Sequence, residues 1–168
     1  NRIREWVHDV LARGASQVFV VIDYIQKVPP DSDVATEEQS TIKVTQTLKE
    51  IAVSTGSRVL GIAAMTQQGL QARRMRLSDL RGGTALQYEA DIGLVLHNKF
   101  DIVSREHLVY GPGQAEEMRN WVVVSVEKNR AGIHSVDVEF ALDASHFHMN
   151  PHGGYVRERL VDQKVVLA

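Results

Sequence analysis

The stretch VFVVIDYIQ, residues 18–26, decides the fold of this 168-residue chain. Its first five residues are apolar and mostly β-branched, a run that is typical of a strand covered on both faces in a parallel sheet. The run ends on one acid, Asp23, and the ligands of open parallel α/β sheets bind beyond the carboxyl ends of the strands. A carboxylate at that edge stays solvated and suits a metal ion or its waters, whereas burying it in the core would be costly.

The residues that follow this strand predict a strand–helix–strand crossover. Thr36 and Gln39 are spaced as in a capping box, and they predict the start of a helix that Gly56 ends. The run RVLGIAAM, residues 58–65, then predicts a second buried strand. Two such strands joined by a helix form a βαβ unit, which requires parallel pairing.

Farther along the chain, the pattern predicts one more buried strand and a hairpin. Residues 92–96 are again apolar, and residues 120–126 and 135–142 alternate around a turn at 129–132. Residues 98–119 are predicted to form a loop, or an excursion of the chain away from the sheet. The expected fold class is therefore α/β, with a mostly parallel sheet flanked by helices and with a C-terminal β-hairpin.

The composition excludes several classes of function. The chain has 43% apolar and 24% charged residues, a net charge of -2 and a pI of about 6.4, as in an ordinary soluble domain. This balance predicts no attraction of the whole surface to nucleic acid, so any basic site is local. The absence of cysteine excludes disulfides and thiolate metal sites and fits the expected cytoplasmic location. No apolar run approaches the roughly 20 residues that span a bilayer, so no membrane partner is expected.

Two predicted strand ends carry side chains that suit a nucleotide. Four apolar residues followed by an acid, as at Asp23, are typical of the second nucleotide-binding motif of P-loop ATPases, whose aspartate organises Mg²⁺ on the phosphates. The second strand leads into Thr66 and Gln67, and an amide at a neighbouring strand tip can reach a terminal phosphate or the attacking water. From the residues alone, a turn-capping aspartate and a simple polar loop remain open alternatives.

Four stretches together resemble a known family. VFVVIDYIQ, GIAAMTQQ, SDLRGGTALQYEADIGLVL and VEKNRAGIHSVDVEF are similar in order and spacing to those of DnaB-type replicative hexameric DNA helicases, over roughly residues 1–150. The resemblance implies a RecA-like P-loop NTPase core, with residues 1–168 as the C-terminal part of one domain. The Gly-rich loop with Lys-Ser/Thr and the water-activating Glu are then expected upstream of Asn1. We expect this chain alone neither to bind ATP tightly nor to hydrolyse it.

The resemblance also implies catalytic roles for individual residues. Asp23 would organise Mg²⁺ through water, and Gln67 would sense the γ-phosphate of ATP. Lys128 and Arg130, the Lys-x-Arg pattern of VEKNRAG, would reach the ATP of the adjacent subunit, where a guanidinium stabilises charge on the phosphate oxygens. ATP and Mg²⁺ are therefore the expected cofactors, and a homo-oligomeric ring, expected to be hexameric, is implied. A solvated hairpin turn is the alternative interpretation of the basic pair.

The segment from Gln67 to Thr84 corresponds to the loops that grip single-stranded DNA in the family's central channel. Glycines let the main chain approach phosphates, and arginines supply a local basic field. The pair Gly82-Gly83 stands where the family often has an acid and a serine, which predicts a more flexible loop. An exposed basic loop without a ligand is the alternative. The residues expected to contact DNA are Arg73, Arg74, Arg76, Arg81, Gly82 and Thr84.

The function expected from this resemblance is ATP-driven translocation on single-stranded DNA and duplex unwinding. Primase and a helicase loader are further candidate partners. Another RecA-like ATPase, such as a recombinase or a signalling ATPase, is the alternative, and a non-catalytic assembly module is a third hypothesis. Tyr24 is expected to pack at the edge of the nucleotide site, and Glu89 and Asp91 to lie at the phosphate end, unless they are simple helix-end or strand-start acids. The histidines of HFHMNPHGG are interpreted as a solvated turn in preference to a metal site.

Overall fold

The structure is a computed structural model that describes residues 2–31, 33–34, 36–104 and 112–161. The predicted excursion over residues 98–119 therefore lies partly outside the described residues. The helices are α1 (Arg2–Ala12), α2 (Glu37–Thr55), α3 (Gln67–Gln71), α4 (Gly83–Glu89), α5 (Lys99–Ile102) and α6 (Pro112–Glu117). The strands are β1 (Phe19–Ile22), β2 (Arg58–Gly61), β3 (Ile92–Asn98), β4 (Trp121–Asn129), β5 (Val136–Asp143), β6 (His148–Met149) and β7 (Gly154–Tyr155).

The chain divides into two compact units. The first unit comprises residues 1–66 and 78–90, and the second unit comprises residues 67–77 and 91–168, each within the part that the structure describes. The expectation that residues 1–168 belong to one domain stays a prediction.

The first unit contains the predicted βαβ crossover. β1 and β2 pair in parallel, with Phe19 opposite Arg58 and Ile22 opposite Gly61, and α2 connects them. The N-cap half of the predicted capping box is confirmed, because the Gln39 N–H donates to Thr36 Oγ1 at 3.2 Å. Gly56 ends α2 in the left-handed conformation, with φ of 66°, as the sequence predicts.

The apolar core of the first unit lies on one side of this strand pair. The side chains that point inward from β1 pack with residues of α1, α2 and α4, and the buried set is Val7, Val18, Val20, Ile22, Ile25, Val44, Leu48, Ile51 and Leu86. Phe19 and Val21 alternate with these residues and are exposed. The prediction of a strand covered on both faces is therefore wrong for the described residues, because only one face of β1 has covering elements here.

The second unit contains an antiparallel sheet. β3 pairs with β4, β4 pairs with β5, and both β6 and β7 pair with β5, all in the antiparallel sense. Among the described strand pairs only β1–β2 is parallel, so the expectation of a mostly parallel sheet is corrected. An apolar run indicates a strand but carries no information about the direction of its partner. The predicted hairpin is confirmed, since β4 and β5 are joined by a short turn that only antiparallel strands can use.

The second unit also has its own apolar core. Ile102, Val103, Met118, Val123 and Leu160 are buried together. Val103 and Leu160 form an antiparallel bridge, and the Val161 N–H donates to the carbonyl of Ile102 at 2.8 Å. The inner face of the sheet also carries polar and charged side chains, and two of its carboxylates form ion pairs with Arg74 and Arg76.

Candidate functional site

Asp23 lies directly after β1, where the sequence predicted it, and its side chain is exposed. The pairing of the two strands continues past their ends, because the Ile62 N–H donates to Ile22 at 2.9 Å and the Ile25 N–H donates to Ile62 at 2.8 Å. The chain is thereby held on both sides of Asp23, and its carboxylate stays in solvent. Mg²⁺ bound to phosphates needs only one or two protein carboxylates, so Asp23 suits the expected ion.

Gln26 is a residue to which the sequence pattern assigned no role, and the structure gives it three hydrogen bonds. Its Oε1 accepts from the Ala64 N–H at 3.1 Å, while its Nε2 donates to the carbonyls of Ala64 at 3.4 Å and Arg81 at 2.9 Å. We call this arrangement the Gln26 clamp (Gln26, Ala64 and Arg81). It connects the turn after β1 to the segment after β2 and to the end of the predicted DNA loop. The only sign of it in the sequence was a polar residue shortly after the strand-end acid.

Backbone pairing fixes the loop that carries Arg81. The Arg81 N–H donates to the carbonyl of Ala64 at 3.0 Å, Met65 bridges Leu80, and the Thr66 N–H donates to Asp79 at 2.8 Å. This short antiparallel pairing places residues 79–81 beside the residues that follow β2. The side chain of Arg81 reaches the solvent and pairs with Glu37 at the start of α2.

Gly82 is held in place by its surroundings. Its φ of 75° lies in the left-handed region, and a Cβ at this position would lie 2.7 Å from Thr41 Cγ2, so only glycine fits. It caps α4, whose first residue is Gly83. The glycine pair thus begins a helix, and the expectation of a more flexible loop is corrected. Thr84 lies in the first turn of α4 and is exposed.

The remaining expected catalytic residues lie in the second unit. Gln67 opens α3 and is exposed, Lys128 lies near the end of β4, and Arg130 occupies the turn that follows. Asp23 belongs to the first unit and Gln67 to the second, so the expectation that both face one triphosphate stays a prediction.

The turn of the hairpin is organised around Asn129. Its Oδ1 accepts from the Ala131 N–H at 3.1 Å, and its Nδ2 donates to the carbonyl of Ile133 at 3.2 Å. Asp91, which was expected at a phosphate end, lies beside this turn: the Arg130 N–H donates to its carbonyl at 2.9 Å, and the two side chains are 3.7 Å apart. Asp91 therefore orients Arg130, while Glu89 is the last residue of α4 in the first unit.

The three other arginines expected to contact DNA have partners within the second unit. Arg73 donates to the carbonyls of Asp101 and Val103, each at 3.1 Å. Arg76 binds Glu127 at 2.9 Å, and the side chain of Arg74, only 4% exposed, binds Asp137 at 2.6 Å. The buried ion pair favours a structural role for Arg74 over the expected contact with DNA.

Arg74 belongs to a buried polar group on the inner face of the sheet. Its guanidinium also donates to Ser125 Oγ at 3.2 Å, and Ser125 donates to Asp137 at 2.5 Å across the β4–β5 pair. His97 of β3 is buried in the same region, and its Nε2 has no hydrogen-bond partner among the described residues. Burial lowers the pKa of His97 below 6.5, and the Arg74 guanidinium lowers this pKa further, while Asp137 and Glu127 act in the opposite direction.

The histidine-rich stretch forms a turn at the end of β5. His146 Nδ1 lies 2.7 Å from Asp143 Oδ2, and Ser145 Oγ donates to Asp143 Oδ1 at 2.6 Å. These hydrogen bonds, first from Ser145 and then from His146, hold the pKa of Asp143 below its ordinary value. In the described part of the chain, no group of three or more His, Cys, Asp or Glu side chains is arranged to hold a metal ion.

Of the described helices, none has both the length and the apolar character that a membrane crossing requires.

Comparison with known proteins identifies the family. The model of the DnaB-like helicase C-terminal domain matches residues 2–149. The chain belongs to the DnaB-like helicase family. The structure of a DnaB-like replicative helicase, described with its interactions with primase, matches with a TM-score of 0.72 and 23% identity over 88% of this chain. The chain spans only 33% of that relative's length, and no curated protein sequence matches it.

These matches confirm two of the sequence-based predictions. The family match confirms the resemblance drawn from the four stretches, and the structural match confirms the α/β, RecA-like class of the DnaB-like helicase fold. The family membership identifies residues 2–149 as a helicase C-terminal domain. The roles of single residues remain predictions.

Proposed function

We propose that this chain is part of the motor of a cytoplasmic, ATP-dependent replicative helicase that moves on single-stranded DNA and unwinds duplex. The match of the helicase C-terminal domain model to residues 2–149 is the observation that carries this proposal. The exposed strand-end carboxylate, the clamped arginine loop and the basic hairpin turn support it, since each supplies a group that such a motor needs.

The proposed nucleotide chemistry uses four side chains. Asp23 holds Mg²⁺ through water, and Gln67 contacts the γ-phosphate. Lys128 and Arg130 stabilise charge on the phosphate oxygens of the ATP bound by the neighbouring subunit of a hexameric ring. When bound, Mg²⁺ neutralises charge on the phosphate oxygens. Because Arg130 acts in trans, hydrolysis depends on assembly of the ring.

The proposed DNA contacts lie in the first unit. Arg81 and Thr84 are exposed, and Gly82, which directly precedes α4, donates its main-chain N–H to a phosphate. Arg73 and Arg76 add positive charge while they hold the second unit together. Primase and a loader are proposed as further partners.

A strand-displacement assay on the full-length protein that contains this chain tests the proposal. We expect ATP- and Mg²⁺-dependent displacement, and we expect Asp23→Asn to abolish it while leaving the protein folded. DNA-stimulated hydrolysis without displacement in the presence of any loader would favour a recombinase-type ATPase. Absence of both hydrolysis and displacement would favour the assembly module.

A second experiment concerns the isolated chain, residues 1–168. It lacks a Gly-rich loop with Lys-Ser/Thr, so we propose that it neither binds ATP tightly nor hydrolyses it. Titration with a fluorescent ATP analogue measures the affinity of the isolated chain for nucleotide. Submicromolar binding would contradict the proposal that tight binding requires a Gly-rich loop outside residues 1–168.

A further inference from the structure

Glu127 connects two parts of the second unit: residues 67–77, which include the proposed γ-phosphate contact, and the hairpin turn with Lys128 and Arg130, which is proposed to serve the neighbouring subunit. We call residues 67–77 the Gln67 segment, since Gln67 is its first residue. One carboxylate oxygen of Glu127 binds Arg76 at 2.9 Å, and the other accepts from the Leu77 N–H at 2.8 Å. Both partners lie at the far end of the Gln67 segment, while Glu127 itself lies on β4 and directly precedes Lys128.

The attachment is closely packed and not only ionic. A Cβ on Gly93 would overlap Leu77 Cδ1, so the glycine leaves the space that Leu77 fills. Gly93 pairs in register with Lys128 across the β3–β4 ladder. Leu77 therefore packs against the strand position opposite Lys128, and a shift of the Gln67 segment would press on β3 at the residue that pairs with Lys128.

A second ion pair in the same segment makes the attachment rigid. Arg74 binds Asp137 on β5 at 2.6 Å, so the Gln67 segment is fixed to both strands of the hairpin. The side chains of Arg76 and Glu127 are 26% and 16% exposed, so solvent screens their interaction less than it screens a surface pair.

From these contacts we infer that Glu127 is a positioning residue: it transmits the position of the Gln67 segment to Lys128 and Arg130. The inference rests on the proposed function, in which Gln67 contacts the γ-phosphate and Lys128 and Arg130 serve the neighbouring subunit. Loss of the γ-phosphate shifts the Gln67 segment, Arg76 and Leu77 carry the shift to Glu127, and the adjacent Lys128 moves with it. The state of one nucleotide then biases the hydrolysis of the next around the ring.

The test uses the full-length protein and steady-state ATP hydrolysis with and without single-stranded DNA. Glu127→Gln keeps an acceptor for the Leu77 N–H and removes only the charge, so it isolates the ion pair with Arg76. We expect kcat with DNA to fall about tenfold while KM for ATP changes less than about twofold, in the range of measured coupling effects. We expect Arg76→Gln to have the same effect, and the double variant to be no worse than either single variant, since the two residues act as one pair. Arg76→Lys keeps the charge and should retain most of the activity.

Glu139→Gln is the matched control. Glu139 is 14% exposed and pairs at 2.6 Å with the buried Lys99, which also lies 2.7 Å from Glu158, so the same charge is removed from a pair that does not include the Gln67 segment. We expect kcat and KM of this variant to stay within about twofold of the wild type. Equal losses in Glu139→Gln and Glu127→Gln would overturn the inference, because they would reduce the effect to general destabilisation.

The possible failures are distinguishable. Wild-type protein that neither hydrolyses ATP nor responds to DNA would remove the proposed function, and the inference with it. Active wild-type protein with an unaffected Glu127→Gln variant would overturn the inference alone. If Glu127→Gln proves poorly folded, the comparison of Arg76→Gln with Arg76→Lys decides: equal activities in these two variants would overturn the inference.

Discussion

The two units use arginine in opposite ways. Arg81 of the first unit keeps a side chain that is 48% exposed and pairs with Glu37 at the surface, while Arg74 of the second unit is buried against Asp137. Both residues come from the one stretch that the sequence marked as basic. The difference teaches that the role of an arginine in such a stretch is set by the carboxylates that the fold brings to it, not by its neighbours in sequence.

The two arginines differ because the interiors of the two units differ in polarity. The buried residues around β1 and β2 form an apolar cluster, and the buried polar side chains described in this unit, Thr41, Thr45 and Ser57, carry only neutral hydroxyls. The inner face of the antiparallel sheet of the second unit instead carries the carboxylates of Glu127, Asp137 and Glu139, which need cationic partners. A buried ion pair adds little net stability compared with an apolar pair, but removing one partner is costly. Substitutions in the two units should therefore have different consequences.

The largest expected effect is that of Arg74→Met. It leaves Asp137 in a partly buried position, 23% exposed, without its guanidinium, and we expect the free energy of unfolding of the second unit to fall by about 3 kcal/mol. Hydrogen exchange of the β4 and β5 amides in the full-length protein measures this loss. The matched change in the first unit, Arg81→Met, should cost at most about 1 kcal/mol, because the Arg81–Glu37 pair is exposed.

The double variant Arg74→Met with Asp137→Leu is the control for this prediction. It replaces both partners by apolar side chains, and most of the lost stability should return. A stable Arg74→Met protein that has lost its affinity for single-stranded DNA would contradict the comparison and restore Arg74 as a DNA contact.

Removing the Gln26 clamp should have the next largest effect. Gln26→Ala leaves the Ala64 N–H and the Arg81 carbonyl without their side-chain partner, and we expect a loss of about 2 kcal/mol in the local stability of residues 79–82. Affinity for single-stranded DNA should fall with it, since the Arg81 loop loosens. Gln17→Ala removes an exposed hydrogen bond to Arg58 and should change neither quantity measurably. Unchanged exchange at residues 79–82 in Gln26→Ala would show that the backbone pairing alone holds the loop.

A glycine substitution tests whether the start of α4 is as tightly packed as it is in the structure. Gly82 and Gly56 both have positive φ, 75° and 66°, but only at Gly82 would a Cβ meet a neighbour, the buried Thr41. We expect Gly82→Ala to cost about 1 kcal/mol more than Gly56→Ala, which is the contribution of overpacking beyond the shared backbone strain. Urea unfolding of the two variants gives the difference. Equal losses would mean that the loop moves away from Thr41 at no cost.

Local signals account for the part of this architecture that could be predicted from the sequence. Thr36, Gln39 and Gly56 act within a few residues of themselves, so the bounds of α2 and the crossover could be predicted. The hairpin could be predicted because alternation and a turn at Asn129 are also local. The position of Asp23 could be predicted because a carboxylate that directly follows an apolar strand is costly to bury and so belongs at the solvated edge of the sheet.

The remaining features depend on contacts between residues that are far apart in sequence. Arg74 and Asp137 are 63 positions apart, and nothing near either residue marks the pair. The strand that pairs with β3 is β4, which begins more than 20 residues later in the chain, so the sequence near β3 does not indicate that the pairing is antiparallel. The role of Gln26 was not predicted because its three partners are backbone groups, which are the same whatever the residue type.

The smallest expected effect is a pH dependence confined to the second unit. His97 is buried near Arg74 and Arg76, with Asp137 and Glu127 as the facing carboxylates, and its pKa is lowered when the protein is folded. As the pH falls through the ordinary value of 6.5, the unfolded chain binds a proton that the folded unit does not, so stability decreases toward lower pH and is fully retained above 6.5. We expect amide protection in β3 and β4 to fall between about pH 7 and about pH 5, with no matching change in β1 and β2. His97→Phe should flatten this dependence, whereas His134→Gln, at an exposed position, should preserve it. A pH profile that is unchanged in His97→Phe would mean that the carboxylates of the buried polar group, and not the imidazole, determine how the second unit responds to acid.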